Sequence, residues 1–208
     1  MIVWQDLVSC LVGWLNLTMQ VLPFLGLHLN DAPSARLGRA GEAGRQQFLR
    51  DMADTVDLLY NCVSLGLWVP FNEGWGQFSA LEVTDRLRAM DPTRPIDHAS
   101  GWHDQGGGDL KSRHVYYRPV RLKNDGRRVL ALTEFGGYSL QCPGHLATDK
   151  KFGYRMYDDT AAWMDAVEKL YETEVLPLIQ AQGLSAAVYT QLSDVEDEVN
   201  GLVTFDRR

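Results

Sequence analysis

Short apolar segments alternate with helical segments along this chain, and this alternation constrains the fold more than any other feature. Amphipathic helices are predicted over residues 42–60 and 79–90, and a longer one over 158–182 with a bend at Pro177. The apolar segments predict six strands, which begin at Ile2, Val63, Ile96, His114, Val129 and Ala186. This order indicates parallel βα units.

Six strands are fewer than the eight that a closed (β/α)8 barrel needs. We therefore predict an α/β fold of the TIM-barrel type that is incomplete at its N-terminal side, with about strands 3 to 8 present. Such a barrel would leave two open sheet edges, and residues 10–29 are a candidate cover for one of them. Because we find no repeat or linker, a single domain is expected over residues 1–208.

The composition limits the class of partner. With 208 residues, of which 45% are hydrophobic and 23% are charged, the chain can bury one sizeable core. A net charge of −7 argues against nucleic acid and anionic membranes as partners, since both attract clustered Lys and Arg. The apolar stretch 7–29 lacks a basic start and is interrupted by Asn16, Gln20, Pro23 and Gly26. It is interpreted as neither a membrane helix nor a signal peptide, so a cytoplasmic location is expected.

The cysteines suggest no cross-link. Cys10, Cys62 and Cys142 are odd in number and far apart, so neither a disulfide framework nor a zinc site is predicted. We expect buried free thiols.

Polar groups recur where the predicted strands end, and the carboxyl ends of parallel strands form the active-site face of a barrel. Glu73 and Glu134 each follow an apolar run. Retaining glycoside hydrolysis needs two carboxyl groups, a general acid and a nucleophile, about 5 to 5.5 Å apart. The spacing along the sequence does not give this distance, and a structural salt bridge is the alternative for either Glu. The remaining polar positions of this kind are Gln5, Asp6, Asn72, His98, Tyr116, Tyr117 and Gln191.

Three longer motifs carry a resemblance. Residues 68–77 read WVPFNEGWGQ, residues 131–138 read ALTEFGGY, and residues 189–201 read YTQLSDVEDEVNG. They resemble glycoside hydrolase family 2, the β-galactosidase and β-glucuronidase family, and the resemblance extends from Ile2 to Arg207. It implies a β-galactosidase-like retaining enzyme that hydrolyses terminal β-linked sugars and needs neither a metal nor another cofactor. The jelly-roll and immunoglobulin-like domains that usually precede the barrel, and its first two strands, have no counterpart here.

The resemblance also implies roles for individual residues. Glu73 corresponds to the acid/base and Glu134 to the nucleophile. Asn72 corresponds to the residue that hydrogen-bonds the sugar 2-hydroxyl. Tyr116 or Tyr117 corresponds to the tyrosine that contacts the nucleophile, and Tyr116 matches better.

Further residues are candidates for holding the sugar. Trp75, Trp102 and Tyr189 are candidates for stacking on sugar rings, although packing is an equal alternative for each. Hydrogen bonds to substrate hydroxyls are predicted for His98, Trp102, His103, Asp104, Asp109, His114 and Gln191. A metal site is the less favoured alternative for the His and Asp group.

Two other functions stay open. An incomplete barrel is also compatible with a non-catalytic carbohydrate-binding fragment. It is equally compatible with an interaction module that completes its sheet with another chain or forms an oligomer.

Overall fold

The computed structural model describes residues 1–8, 21–23, 25–32 and 37–208. The chain divides into two compact units. Unit 1 comprises Met1–Ser112 and Asp125–Val129, and unit 2 comprises Arg113–Asn124 and Leu130–Arg208. Helices and small parallel sheets occur together, which agrees with the predicted α/β class. The incomplete TIM-barrel type of fold and the single domain over 1–208 stay predictions.

Unit 1 includes the paired strands β1 Val3–Asp6 and β2 Leu65–Val69 and the helices α1 Glu42–Leu59 and α2 Ala80–Met90. β1 runs parallel to β2, with Trp4 opposite Leu67. All four elements lie within two residues of the predicted starts.

An aromatic core explains why α1 packs onto this sheet. Phe48, Met52 and Val56 recur at four-residue spacing and are buried on one face of α1. The ring of Phe48 stacks on Phe71 with the centroids 5.0 Å apart, and Phe78 meets both rings edge-on. The predicted amphipathic helix is therefore confirmed together with the direction of its apolar face.

The strand predicted from Ile96 is only partly formed. The backbone pairs with that of the preceding segment at two isolated parallel bridges, Trp68 with Ile96 and Asn72 with Ser100. Pro70 lies between these two bridges and has no N–H to donate, so the next rung of a continuous ladder cannot form.

The remaining elements lie wholly or partly in unit 2. They are β3 Leu110–Val115, β4 Val129–Gly136, β5 Tyr138–Leu140, β6 Arg155–Tyr157, α3 Thr160–Lys169, a π-helical segment Leu170–Val175, α4 Leu176–Gln182 and β7 Leu184–Thr190. The strand order is β3-β4-β7 in one sheet, and β5 pairs with β6 in another. β5 and β6 were not predicted, and β4 extends three residues beyond the predicted end at Thr133.

The long helix predicted over 158–182 is interrupted before its proline. The π-helical segment separates α3 from α4, and Pro177 is the second residue of α4. Proline cannot donate to the carbonyl of Thr173, and its ring crowds that carbonyl, so the helix widens in the turn before it. Asp159 caps the start of α3 by accepting a hydrogen bond from the Ala162 N–H at 2.8 Å.

Three further predictions concern single segments. Cys62 is exposed and Cys142 is half-buried, so the expectation of a buried thiol is wrong for Cys62. Cys10, and most of the segment 10–29 predicted to cover a sheet edge, lie outside the described residues. Across the described residues, no helix combines the length and apolar character needed to span a membrane.

Candidate active site

Glu134 is the centre of a hydrogen-bonded cluster in unit 2. The Tyr116 hydroxyl donates to Glu134 Oε2 at 2.7 Å, and His114 Nδ1 lies 3.3 Å from the same oxygen. Thr190 Oγ1 lies 2.9 Å from the Tyr116 hydroxyl. Since the carboxylate only accepts, the single Tyr116 proton is directed at Glu134 and the Thr190 hydroxyl donates to Tyr116.

The strand order explains why these residues meet. His114 and Tyr116 are two residues apart at the end of β3, so their side chains point to the same side of the backbone. β4 lies between β3 and β7, and therefore Glu134 of β4 can meet side chains from both neighbours. Glu134 lies inside β4, two residues before its end, and not directly after a strand as predicted.

The Tyr116 hydroxyl is a permanent donor. Burial raises the pKa of Tyr116 well above its usual range, and the negative charge of Glu134 raises it further. Tyr116 therefore keeps its proton at neutral pH. A donor that keeps its proton can hold the Glu134 carboxyl group in one orientation.

Tyr154 fixes the ring of Tyr116. The two rings stack with their centroids 3.8 Å apart and their planes at 5°. This arrangement depends on Gly137, which has φ +63°, because a Cβ atom there would lie 2.3 Å from the Tyr154 ring. Gly137, the second glycine of the ALTEFGGY motif, thus leaves room for the Tyr154 ring, which stacks on Tyr116, the residue that contacts Glu134.

Glu73 lies in unit 1, in a turn after β2. It has a left-handed backbone with φ +52°, and Gly74 follows at φ +75°. The Glu73 N–H donates to the Ser100 carbonyl at 3.0 Å, and the Trp75 N–H donates to the Asn72 carbonyl at 3.0 Å. Left-handed non-glycine residues cost about 1 to 3 kcal/mol and cluster at functional sites. The pairing of Glu73 with Glu134 stays a prediction.

His98 and Asp104 belong to a charged network within unit 1. Arg128 binds both oxygens of Asp104 at 2.8 Å, and His98 Nε2 lies 3.3 Å from Asp104 Oδ1. Burial opposes ionisation of Asp104, but the hydrogen bonds from His98 and Arg128 outweigh it and lower the pKa of Asp104 below its usual range. The Gly106 N–H also donates to Asp104 at 2.8 Å. These contacts hold the turn that contains Gly106 in place. The sugar contacts of His98 and Asp104 stay predictions.

His103 anchors a second network of unit 1. Its Nδ1 accepts a hydrogen bond from the Leu29 N–H at 3.1 Å. Gln77 Nε2 donates to the His103 carbonyl at 3.1 Å and to Asp31 Oδ2 at 2.9 Å. Asp31 Oδ2 also accepts from the Ala80 N–H at 2.9 Å. Asp31 thereby caps α2 from a distant part of the sequence, because the side chain of the preceding Ser79 makes no capping bond.

Among the other predicted site residues, Asn72 and Trp75 are half-buried, and several more are buried or have structural partners. Trp102 is buried, and Asp109 Oδ2 accepts from the Ile96 N–H at 2.7 Å. Tyr189 packs closely over Gly136, and its hydroxyl accepts from the Tyr138 N–H at 3.2 Å. Gln191 donates to Glu198 at 3.0 Å and to Asn200 at 2.8 Å.

Sequence reasoning missed three residues of this arrangement: Thr190, Tyr154 and Arg128. Thr190 carried a detectable signal, since it lies next to the predicted Tyr189 and Gln191 at the end of the last strand. Tyr154 and Arg128 lie outside every motif, and only tertiary pairing brings them into contact with Tyr116 and Asp104.

Three solved structures with a similar fold are structures of β-glucuronidases. A β-D-glucuronidase of Dictyoglomus thermophilum matches with a TM-score of 0.56 and 16% identity, covering 82% of this chain and 34% of that one. A Parabacteroides merdae β-glucuronidase with glycerol in its active site matches with a TM-score of 0.59 and 15% identity, covering 100% of this chain and 28% of that one. A second structure of the P. merdae enzyme matches with a TM-score of 0.56 and 15% identity, covering 100% of this chain and 27% of that one.

These matches show the fold alone, because their sequence identity is low. The chain spans about a third or less of the length of the matching structures. No protein-family model matches the sequence, and no curated protein matches it. The chain therefore has the fold of part of a glycosidase.

Proposed function

We propose that this chain carries the catalytic carboxyl pair of a retaining β-glycosidase of the β-galactosidase type, on an α/β fold of the barrel type. Glu134 is the nucleophile and Glu73 is the general acid/base. The observation that carries the proposal is the contact of the buried Tyr116 hydroxyl with Glu134 at 2.7 Å, reinforced by His114. The fold likeness to β-glucuronidases supports the reaction class.

In the first step, Glu134 attacks the anomeric carbon of the sugar and forms a covalent ester. Glu73 gives its proton to the glycosidic oxygen, the bond between that oxygen and the anomeric carbon breaks, and the alcohol leaves. Tyr116 holds the attacking carboxylate in one orientation, so little reorganisation is needed when the bond forms.

In the second step, Glu73 acts as a base. It takes a proton from a water molecule, the water oxygen attacks the anomeric carbon, and the ester to Glu134 breaks. The sugar leaves with its original β configuration. Tyr116 then stabilises the carboxylate charge that returns to Glu134, because its proton cannot be lost in the working pH range.

The remaining predicted residues would orient the sugar. Asn72 binds the 2-hydroxyl in this proposal, and Trp75 offers a half-buried aromatic surface close to Glu73 in the sequence. The substrate is a terminal β-linked sugar, either a neutral galactoside or a glucuronide.

A panel of nitrophenyl β-glycosides, including galactoside and glucuronide, tests the activity. We expect turnover of at least one of them, and a loss of about a thousandfold or more for Glu134→Gln and Glu73→Gln. Glu196→Gln is the matched control, since Glu196 is an exposed acid of unit 2 outside the cluster. Near-normal rates for either site variant would refute its assigned role.

Azide separates the two roles. In Glu73→Ala, azide needs no general base and should restore turnover by giving the β-glycosyl azide. In Glu134→Ala, it should replace the nucleophile and give the α-glycosyl azide. Calorimetric binding of a monosaccharide without any turnover would instead support the carbohydrate-binding fragment.

A further inference from the structure

Unit 2 has a second polar and aromatic depression, which we name the tyrosine–arginine groove. Its deepest part is a cavity of about 170 Å³, lined by Tyr116, Tyr117, Tyr138, Tyr154, Arg118 and Arg155 among others. A shallower cavity of about 310 Å³ shares Tyr138 and Arg155 with it and adds Lys169. Another, of about 340 Å³, shares Arg118 and adds Arg121. Since the two larger cavities each share lining residues with the first, the three adjoin one another, and the name covers all three.

The groove is positively charged in a chain whose net charge is −7. Its four cations are Arg118, Arg121, Arg155 and Lys169, against two acids, Glu174 and Asp165. Asp165 pairs with Lys169 at 2.7 Å, which leaves three arginines against Glu174, and Glu174 accepts a hydrogen bond from the Val120 N–H at 2.6 Å. This charge excess favours an anionic ligand.

The aromatic lining points to a ligand made of rings. Tyr117 is 69% exposed, and its left-handed backbone, φ +57°, sets its direction apart from that of the buried Tyr116. The Arg155 guanidinium lies 5.3 Å from the centre of the Tyr138 ring. Tyrosine faces bind the apolar C–H faces of sugars, and guanidinium groups bind carboxylates through two parallel hydrogen bonds.

The helix behind the groove is irregular at this position. Leu170 and Glu174 line the deepest cavity, and both belong to the π-helical segment. Widened helical turns of this kind occur frequently at functional sites. The cavity is smaller than the roughly 300 to 1,000 Å³ of pockets that enclose a whole drug-sized ligand, so it suits one ring of a longer ligand that continues along the groove.

We propose that the tyrosine–arginine groove binds an acidic oligosaccharide built of uronate units. One ring lies against the tyrosines, and the carboxylates of neighbouring units bind Arg118, Arg121 and Arg155. This binding involves no bond cleavage and uses neither Glu73 nor Glu134. It therefore goes beyond the proposed glycosidase and can fail or succeed separately from it.

Titration calorimetry with α-linked tetragalacturonate tests the proposal, because a β-glycosidase does not cleave this ligand. Maltotetraose is the matched neutral ligand with the same linkage. We expect the acidic tetramer to bind about tenfold or more tightly than the neutral one, and to lose affinity as salt is raised. Equal affinities, or no binding of tetragalacturonate, would overturn the proposal.

Two sets of variants locate the binding. The double variant Arg118→Gln/Arg121→Gln should weaken tetragalacturonate binding about tenfold. Lys150→Gln/Lys151→Gln removes the same charge from exposed positions of unit 2 outside the groove, and should change binding less than about twofold. Equal losses from the two double variants would show non-specific charge attraction and overturn the proposal.

Tyr117→Asn distinguishes a sugar from an acidic peptide. Asparagine tolerates the left-handed backbone, so the fold should be kept while the ring is lost. The variant should bind tetragalacturonate several-fold more weakly. If a short polyglutamate peptide binds the protein as tightly as tetragalacturonate does, and Tyr117→Asn affects neither ligand, the ligand is an acidic peptide and the proposal is wrong.

Discussion

Acidification should destabilise unit 1 through His103. This side chain is fully buried, and its Nδ1 accepts a hydrogen bond from the Leu29 N–H, so that nitrogen has to be unprotonated in the folded state. Burial lowers the pKa of His103 to about 4, and the nearby His28 adds to the effect. If His103 were protonated, its Nδ1–H would point at the Leu29 N–H, and the buried imidazolium would lose its hydration.

The size of the effect follows from the two pKa values. In the unfolded chain His103 binds its proton near pH 6.5, and in the folded chain only near pH 4. The stabilising contribution is therefore complete above pH 6.5 and is lost as the pH falls toward 4, since the unfolded state takes up the proton first. Linkage gives a loss of about 2 kcal/mol at pH 5 and about 3 kcal/mol at pH 4.

Urea unfolding of the protein and of His103→Asn, at several values between pH 7 and pH 4, measures this loss. Asparagine keeps an acceptor oxygen, tolerates the left-handed backbone at φ +47°, and does not titrate. Carboxylates that also titrate in this range contribute to both proteins, so their contribution cancels in the difference between the two free energies of unfolding. Relative to His103→Asn, the protein with His103 should lose about 2 kcal/mol of unfolding free energy between pH 7 and pH 5. If the free energies of unfolding of the two proteins fell in parallel as the pH is lowered, His103 would not be the source of the loss.

Three further predictions concern buried contacts. Asp91→Ala should lower the free energy of unfolding by about 3 to 5 kcal/mol in urea titrations, because it leaves the partly buried guanidinium of Arg94 without its partner at 2.6 Å; a loss below about 1 kcal/mol would contradict this. Gly137→Ala should cost about 1 to 3 kcal/mol in the same assay, since its Cβ atom would meet the Tyr154 ring, and an unchanged midpoint would count against the stack. Tyr116→Phe should lower kcat of the proposed glycosidase about 10- to 100-fold in steady-state kinetics; an unchanged kcat would remove this tyrosine from the site.

The elements with strong periodicity were predictable from the sequence, and those set by pairing were not. The spacing of Phe48, Met52 and Val56 fixes the buried face of α1 through local geometry alone. β5 and β6 have three residues each, which is too few for an alternation of apolar and polar residues to stand out. The incomplete strand at Ile96 depends on the missing N–H of Pro70 in a neighbouring segment, which no local pattern of Ile96 contains.

The candidate site shows the same division. The ALTEFGGY motif contains Glu134, and the family resemblance implied a tyrosine at Tyr116 or Tyr117; the structure places the side chains of Glu134 and Tyr116 in contact. The role of Thr190 depends on β7 lying next to β4, which is a property of strand order and not of sequence. For Asp104 the sequence predicted a sugar contact, because the residue is polar and follows a predicted strand. Its strongest partner, Arg128, lies 24 residues away and was invisible to a motif search.

A covalent bond between Glu134 and the sugar can be detected directly by trapping it. A glycoside with a good leaving group, and with fluorine in place of the 2-hydroxyl, slows the second step and lets the ester accumulate for peptide mass mapping. We expect the mass of one glycosyl group to be added to the peptide that contains Glu134, and we expect Glu134→Gln to abolish the addition. A label on any other residue, or turnover of unmodified glycosides without a trapped ester, would contradict it.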